Sequence, residues 1–154
     1  MAANYELHPL AADVRADRIL VEKSARRLTL FNGDKPLKSY TVALGRAPRG
    51  AKQQEGDQRT PEGAYTIDAH KFDSAFHRAL HISYPSPTDS DSATKRGVSA
   101  GGDIMIHGIR NGSGWLGAFH RLTDWTAGCI AVTDKQIEEI YKSVPDGTPI
   151  EIRP

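Results

Sequence analysis

The stretch Leu28-Thr29-Leu30-Phe31-Asn32-Gly33-Asp34-Lys35-Pro36-Leu37-Lys38-Ser39-Tyr40-Thr41-Val42-Ala43-Leu44 decides the fold class. Leu28 to Phe31 alternates moderately and runs into Asn32-Gly33, a dipeptide whose ease at positive φ makes it the strongest short hairpin signal. Lys38 to Leu44 then alternates cleanly, with Tyr40, Val42 and Leu44 on one face of a half-buried strand. Upstream, Ile19-Leu20-Val21 precedes a polar break at Glu22–Ala25, so the opening of the chain reads as a β-meander. Residues 1–17 read as an extended lead-in, and 18–154 as one domain.

Downstream the same grammar continues. Gly45 to Thr60 is a polar loop, and Pro61-Glu62-Gly63 turns into a strand at Ala64-Tyr65-Thr66-Ile67. A short strand is expected around Leu80–Ser83, followed by a breaker-rich loop from Pro85 to Gly102. Asp103-Ile104-Met105-Ile106-His107 reads as a buried strand ending in histidine. Gly108 to Gly128 carries five glycines and both tryptophans, and is expected to form an ordered flap with its aromatic side chains packed inward. One segment alone reads as helix: Ile137, Ile140, Tyr141 and Val144 recur at helical spacing behind a cap at Thr133 or Asp134, and Pro145-Asp146-Gly147 ends it. Ile150 and Ile152 suggest a closing strand. The expected class is mostly β, with one clear helix near the C-terminus.

Composition narrows the function. The 154 residues are 38% apolar and 25% charged, which favours a folded domain over disorder or a membrane span. A chain this long buries about 68–70% of its unfolded surface, enough for a proper core. The net charge of +1 argues against a strongly basic nucleic-acid binder. No apolar run reaches the length of a transmembrane helix, and Met1-Ala2-Ala3-Asn4 opens without the basic, apolar start of a signal peptide. The single cysteine, Cys129, excludes an intrachain disulfide and a cysteine-rich zinc module. The six histidines show no HxH or HxxH spacing and one HxxxH pair, His77 and His81, the second of them in strand-like sequence rather than on a helix, so neither a metal nor another cofactor is expected.

A lone cysteine is most often an inert buried hydrophobe. Cys129, however, directly follows Gly128, which permits unusual backbone geometry and close approach of a ligand. A nucleophile on such a turn exposes its sulfur while neighbouring N–H groups face a developing oxyanion. Such a thiol needs a base, normally a histidine within hydrogen-bond reach. His107, at the end of an apolar strand and before Gly108, is the first candidate, and His120, in the loop nine residues before the thiol, is the second.

Ile104-Met105-Ile106-His107-Gly108 followed by Thr126-Ala127-Gly128-Cys129-Ile130 resembles the signature of YkuD-type L,D-transpeptidase catalytic domains. Val42-Ala43-Leu44-Gly45, Glu55-Gly56-Asp57 and Arg59-Thr60-Pro61-Glu62-Gly63-Ala64-Tyr65 resemble the family's earlier strands and turn, so the likeness spans roughly residues 18–153. Two positions depart from many members: Ala127 stands where they carry His, and Ala131 where they carry Arg. Cys129-Ile130-Ala131-Val132-Thr133-Asp134 resembles the YafK-like subgroup instead. The resemblance implies a β-sandwich-like catalytic domain acting on peptidoglycan stem peptides, and also on wall-linked protein if the same thiol is used hydrolytically. It implies Cys129 as nucleophile, His107 as base oriented by the Gly108 carbonyl, and oxyanion donors around Gly128 and Cys129. Because that substrate lies outside the cytoplasmic membrane, the expected location is periplasmic or exported, with the export signal absent from this chain.

Four further side chains have two readings each. Thr126 either takes the family's Ser/Thr role beside substrate or satisfies the backbone of the turn. Arg59 either holds a substrate carboxylate or forms a salt bridge. Trp115 and Trp125 either line the groove or pack beneath the loop. Arg110, Arg121 and His120 would give the groove a basic wall suited to carboxylates. The alternatives to a transpeptidase are a carboxypeptidase or amidase using the same thiol, and a non-catalytic wall-binding domain.

Overall fold

A computed structural model describes the backbone of Asn4–Tyr5 and all of residues 8–154; of the expected lead-in, residues 1–3 and 6–7 lie outside the described residues. Nine strands form one curled sheet: β1 (Asn4–Tyr5), β2 (Arg18–Glu22), β3 (Arg27–Asn32), β4 (Lys35–Thr41), β5 (Gly63–Ser74), β6 (His77–Ile82), β7 (Met105–His107), β8 (Ile130–Ala131) and β9 (Pro149–Arg153). Their order across the sheet is β1-β4-β3-β2-β9-β5-β6-β7-β8. The expected meander is β2–β3–β4, antiparallel throughout, with Gly33 at φ +59° in its hairpin turn. The closing strand β9 enters the middle of the sheet, parallel to β2 and antiparallel to β5.

The sheet curls far enough for its two ends to meet. Beyond β4, Ala43 N–H donates to Ala131 O at 3.0 Å and Ala131 N–H returns to Ala43 O at 2.9 Å. A second bridge joins Gly45 to Thr126. The sandwich-like expectation therefore takes the form of one sheet closed on itself. Inside the curl, Leu28, Leu30, Tyr40, Leu44, Ile67, Leu80, Ile82, Ile106 and Ile130 are fully buried with Ile137 and Ile140 of the helix near the C-terminus. Burial of that apolar surface is the main stabilising term.

Helix α2 (Asp134–Ser143) is the expected one, opened by a capping box in which Thr133 and Gln136 satisfy each other's backbone. Two other helical segments correct the reading of their regions as loop. Pro87–Lys95 is a helix, α1, with Ser86 as N-cap, Pro87 in the first turn and Asp89 closing the box. Pro87 is tolerated there because first-turn N–H groups lack intrahelical partners. The flap contains a 3-10 helix, Gly114–Leu122, broken at Gly117.

The lead-in is tied to the domain. Asn4–Tyr5 pairs in parallel with Lys38–Ser39 of β4, and Leu10 N–H donates to Glu139 Oε2 at 2.8 Å. Glu139, on α2, also accepts from Lys38 Nζ and Tyr40 Oη, each at 2.5 Å. Burial opposes its charge, yet the bonds from Lys38, Tyr40 and Leu10 outweigh that and hold its carboxyl below the usual range. Glu139→Ala leaves the buried Lys38 ammonium without its carboxylate, a change that costs about 3–5 kcal/mol for a buried pair. Urea denaturation of the variant checks this, and a loss below about 1 kcal/mol would show the pair to be solvent-screened.

Candidate active site

Strand register brings the two sequence motifs side by side. β7 and β8 run parallel, with Ile106 opposite Ile130 and His107 opposite Ala131, so the histidine sits two residues from the level of Cys129. The turn before β8 is built by Thr126, whose Oγ1 donates to Cys129 O at 2.7 Å and accepts Gly128 N–H at 3.1 Å. Thr126 is buried and exchanges backbone bonds with Leu44 and Arg46, which fixes the turn to the closing seam. Of its two readings, satisfaction of the turn is the one its bonds express. Gly128 has φ +137°, and a side chain there would place Cβ 2.7 Å from Arg59 O. Glycine is required by conformation and by space. Its N–H, expected as an oxyanion donor, donates to Thr126 Oγ1 instead.

Cys129 and His107 line one cavity of about 590 Å³. Its wall includes Phe76, Ile109, Leu116, Phe119 and Trp125, and it carries the cationic side chains Arg46 and Arg110. His107 is buried, stacked on Phe76 with ring centroids 4.3 Å apart and planes 24° apart. Its Nδ1 lies 2.7 Å from Gly108 O, and a carbonyl can only accept, so Nδ1 carries the proton and Nε2 keeps its lone pair. Burial lowers the pKa of His107 from 6.5 to about 4; the Gly108 carbonyl opposes this and His120 adds to it. The imidazole is therefore neutral at pH 7.

The thiol makes its hydrogen bond to Asp103 O at 3.3 Å rather than to an imidazole. Burial pushes its pKa above the ordinary value; the Met105 N–H and Lys52 act against that, and the Asp103 carboxylate reinforces it. Burial thus acts against charge on both groups, and the thiol's bond is to a carbonyl rather than to the imidazole.

The other predicted residues divide. Trp125 lines the cavity and donates Nε1–H to Nδ1 of the buried His120 at 3.2 Å, so both serve the wall together. Arg59 is not among the lining residues: its guanidinium lies along Gly50, and its backbone carbonyl is what meets the site, through Gly128. Trp115 also stands away, 81% exposed, and Phe119 is 73% exposed although it borders the cavity. The expectation of inward-packed flap aromatics therefore fails. The break at Gly117, with φ +49°, splits the short helix, leaving Leu116 and His120 on the cavity side while Trp115 and Leu122 face water. Arg110 lines the cavity as expected; Arg121 lies in an adjoining depression with Lys23, Arg26 and Arg49. Phe76 and Arg46 carried no local sequence signal. Among the described residues no three His, Cys, Asp or Glu side chains are grouped to hold a metal ion.

The L,D-transpeptidase catalytic domain family, YkuD, matches residues 16–152. The chain belongs to this family. YafK of Escherichia coli (strain K12) is 28% identical over 110 residues, which cover 70% of this chain and 37% of that protein. Among solved structures, a point mutant of the helical cell shape determining protein Pgp2 from Campylobacter jejuni superimposes with TM-score 0.69 and 26% identity, covering 91% of this chain and 47% of that one. An L,D-transpeptidase from Mycobacterium smegmatis shares the fold at TM-score 0.59 and 14% identity, over 90% of this chain and 59% of that one. The chain thus spans less than half the length of YafK and of Pgp2.

The depressed His107 pKa makes stability depend on pH. In the unfolded chain this histidine takes a proton near 6.5, whereas in the fold it resists protonation down to about 4. Its contribution is full above the first value, is lost progressively as pH falls between the two, and changes no further below. The expected loss is about 3 kcal/mol. Urea titrations at pH 7 and pH 4 check this: the pH-dependent loss should be smaller in His107→Gln by that amount, and equal losses in both proteins would contradict it.

Proposed function

We propose that this domain is a cysteine-dependent L,D-transpeptidase that acts on peptidoglycan stem peptides through a thioester acyl-enzyme, in the periplasm or outside the cell. The observation that carries this reading is the shared cavity of Cys129 and His107, with His107 held in the tautomer whose Nε2 accepts a proton.

Burial that disfavours charge on both groups favours a concerted proton transfer. As the sulfur attacks the substrate carbonyl carbon, its proton passes to His107 Nε2, and charge develops only during the step. The imidazolium then protonates the leaving amine as the tetrahedral intermediate collapses to the thioester. An acceptor amine attacks that thioester, loses its proton to the same histidine and releases the thiol. With Gly128 N–H committed to Thr126, the Cys129 N–H is the donor we assign to the oxyanion. Arg46 and Arg110 on the cavity wall suit the carboxylates of a stem peptide.

Intact-mass analysis with a carbapenem tests the covalent step. One adduct is expected on the wild-type protein and none on Cys129→Ala, with His107→Ala slower by about 10²–10⁴-fold. An unmodified wild-type protein, or an adduct persisting in Cys129→Ala, would overturn the assignment. Product analysis on a disaccharide-tetrapeptide then decides the acceptor. A crosslinked dimer with an added amine acceptor supports transfer, and a hydrolysed tripeptide alone in its presence would make the domain a carboxypeptidase.

A further inference from the structure

One carboxylate just outside the cavity has an unusual placement. Asp134 is the first residue of α2, where an acidic side chain ordinarily lies over its own helix's free N–H groups. Thr133 already caps Gln136 N–H, and Asp134 turns away from the helix. Its Oδ1 accepts the N–H of Ile109 at 2.9 Å. The space it enters is made by two glycines. A Cβ on Gly108 would stand 2.7 Å from Oδ1, and one on Gly114 would stand 2.5 Å from Oδ2.

The accepted N–H belongs to a particular peptide. Gly108 C=O and Ile109 N–H are opposite ends of one planar, trans amide. At one end the carbonyl accepts His107 Nδ1–H at 2.7 Å; at the other the N–H donates to Asp134. The chain reads carboxylate, amide, imidazole. A bond at either end fixes the plane of the amide and polarises the bond at the other. Gly108 N–H is separately held by Phe76 O at 3.0 Å, so the preceding peptide is pinned as well.

We propose that Asp134 is a positioning residue for the reaction, acting on His107 through the Gly108–Ile109 peptide. It fills the place that a carboxylate bonded directly to a catalytic imidazole fills elsewhere, with one amide interposed. The amide keeps the Nδ1–H tautomer in place, and the carboxylate behind it favours the imidazolium that forms when the sulfur's proton arrives. The inference rests on His107 being the base, as assigned above.

The test uses three variants, two readouts and one control. Asp134→Ala removes the acceptor; Asp134→Asn keeps an oxygen for Ile109 N–H; Gly114→Ala displaces the carboxylate while Asp134 itself is retained. The first readout is the tautomer of His107 by imidazole ¹⁵N NMR at pH 7, which is independent of any activity. The wild type and Asp134→Asn are expected to show a single Nδ1–H tautomer, and Asp134→Ala and Gly114→Ala a mixture. The second is the rate constant for carbapenem acylation, expected to fall about 10- to 100-fold in Asp134→Ala and Gly114→Ala, and by a smaller factor in Asp134→Asn, which keeps the bond but not the charge. Thermal melting is the control, since a role confined to the helix end would lower Tm and leave the ring signature unchanged. An unaltered tautomer in Asp134→Ala, or in Gly114→Ala should the former fail to fold, would overturn the proposal. A wild-type protein that shows the tautomer but is not acylated would overturn the catalytic reading instead.

Discussion

The reciprocal hydrogen bonds between Ala43 and Ala131 close the sheet, and the rest of the site depends on that closure. Without them β8 would be a two-residue strand at a free edge, held only by β7. With them, the segment after β4 lies against the segment that carries the thiol. Arg46 N–H then reaches Thr126 O, Gly45 N–H reaches Thr60 Oγ1, and Arg59 O comes close enough to Gly128 to exclude a side chain. The sharp turn that carries Cys129 is held by contacts from three separate stretches of chain. Its geometry is a consequence of sheet closure rather than of local sequence.

Closure also sets the electrostatics. A histidine on the inner strand β7, covered by Phe76 and Trp125, is too dry to hold a proton at neutral pH. The same dryness raises the thiol. Burial disfavours the charged form of each group, so both effects act against a resting ion pair. What remains is an imidazole with a fixed tautomer beside a thiol that burial keeps from ionising. The nearby charges are arranged accordingly: Arg46 and Arg110 lie along the cavity wall, and Asp134 lies behind the histidine with an amide between them.

The parts of this structure that were legible in the sequence are those with a short-range signal. Asn32-Gly33 between alternating runs gave the meander, and the spacing of Ile137, Ile140 and Val144 gave α2. The His107 and Cys129 motifs were legible as chemistry, although nothing local says they share a cavity; the parallel pairing of β7 with β8 does that, across a separation of 22 residues. Helix α1 had a signal that the density of Pro, Ser and Gly concealed, since Ser86-Pro87-Thr88-Asp89 is a capping box with proline where it is tolerated. Phe76 and Arg46 had none. Each reaches the cavity from a turn or loop whose position depends on strands paired far away. The flap departs from expectation for a different reason: apolar content does not require burial, and a short helix with a central break cannot turn every apolar side chain inward.

The flap's position follows from its two ends. At the start, Asp134 receives Ile109 N–H and fits against Gly114. At the end, Asp124 accepts the Arg26 guanidinium through both oxygens and the Leu44 N–H through one of them. Each carboxylate therefore joins the flap to an element on a different side of the curl, α2 in the first case and the seam after β4 in the second. Bonds to a charged acceptor are stronger than those between neutral groups, so the ends are fixed better than the crest. The crest is closed by local turns, Ser113 N–H to Arg110 O and Leu116 N–H to Ser113 O. The residues that bear on His107, namely Ile109 at one end and Trp125 beside the other, lie next to the anchors. Trp115 and Leu122 face water although each stands within two residues of an anchored position, Gly114 and Asp124. The anchors thus fix the backbone around His107, while the exposure of Trp115 and Leu122 is set by the direction in which their side chains leave that backbone.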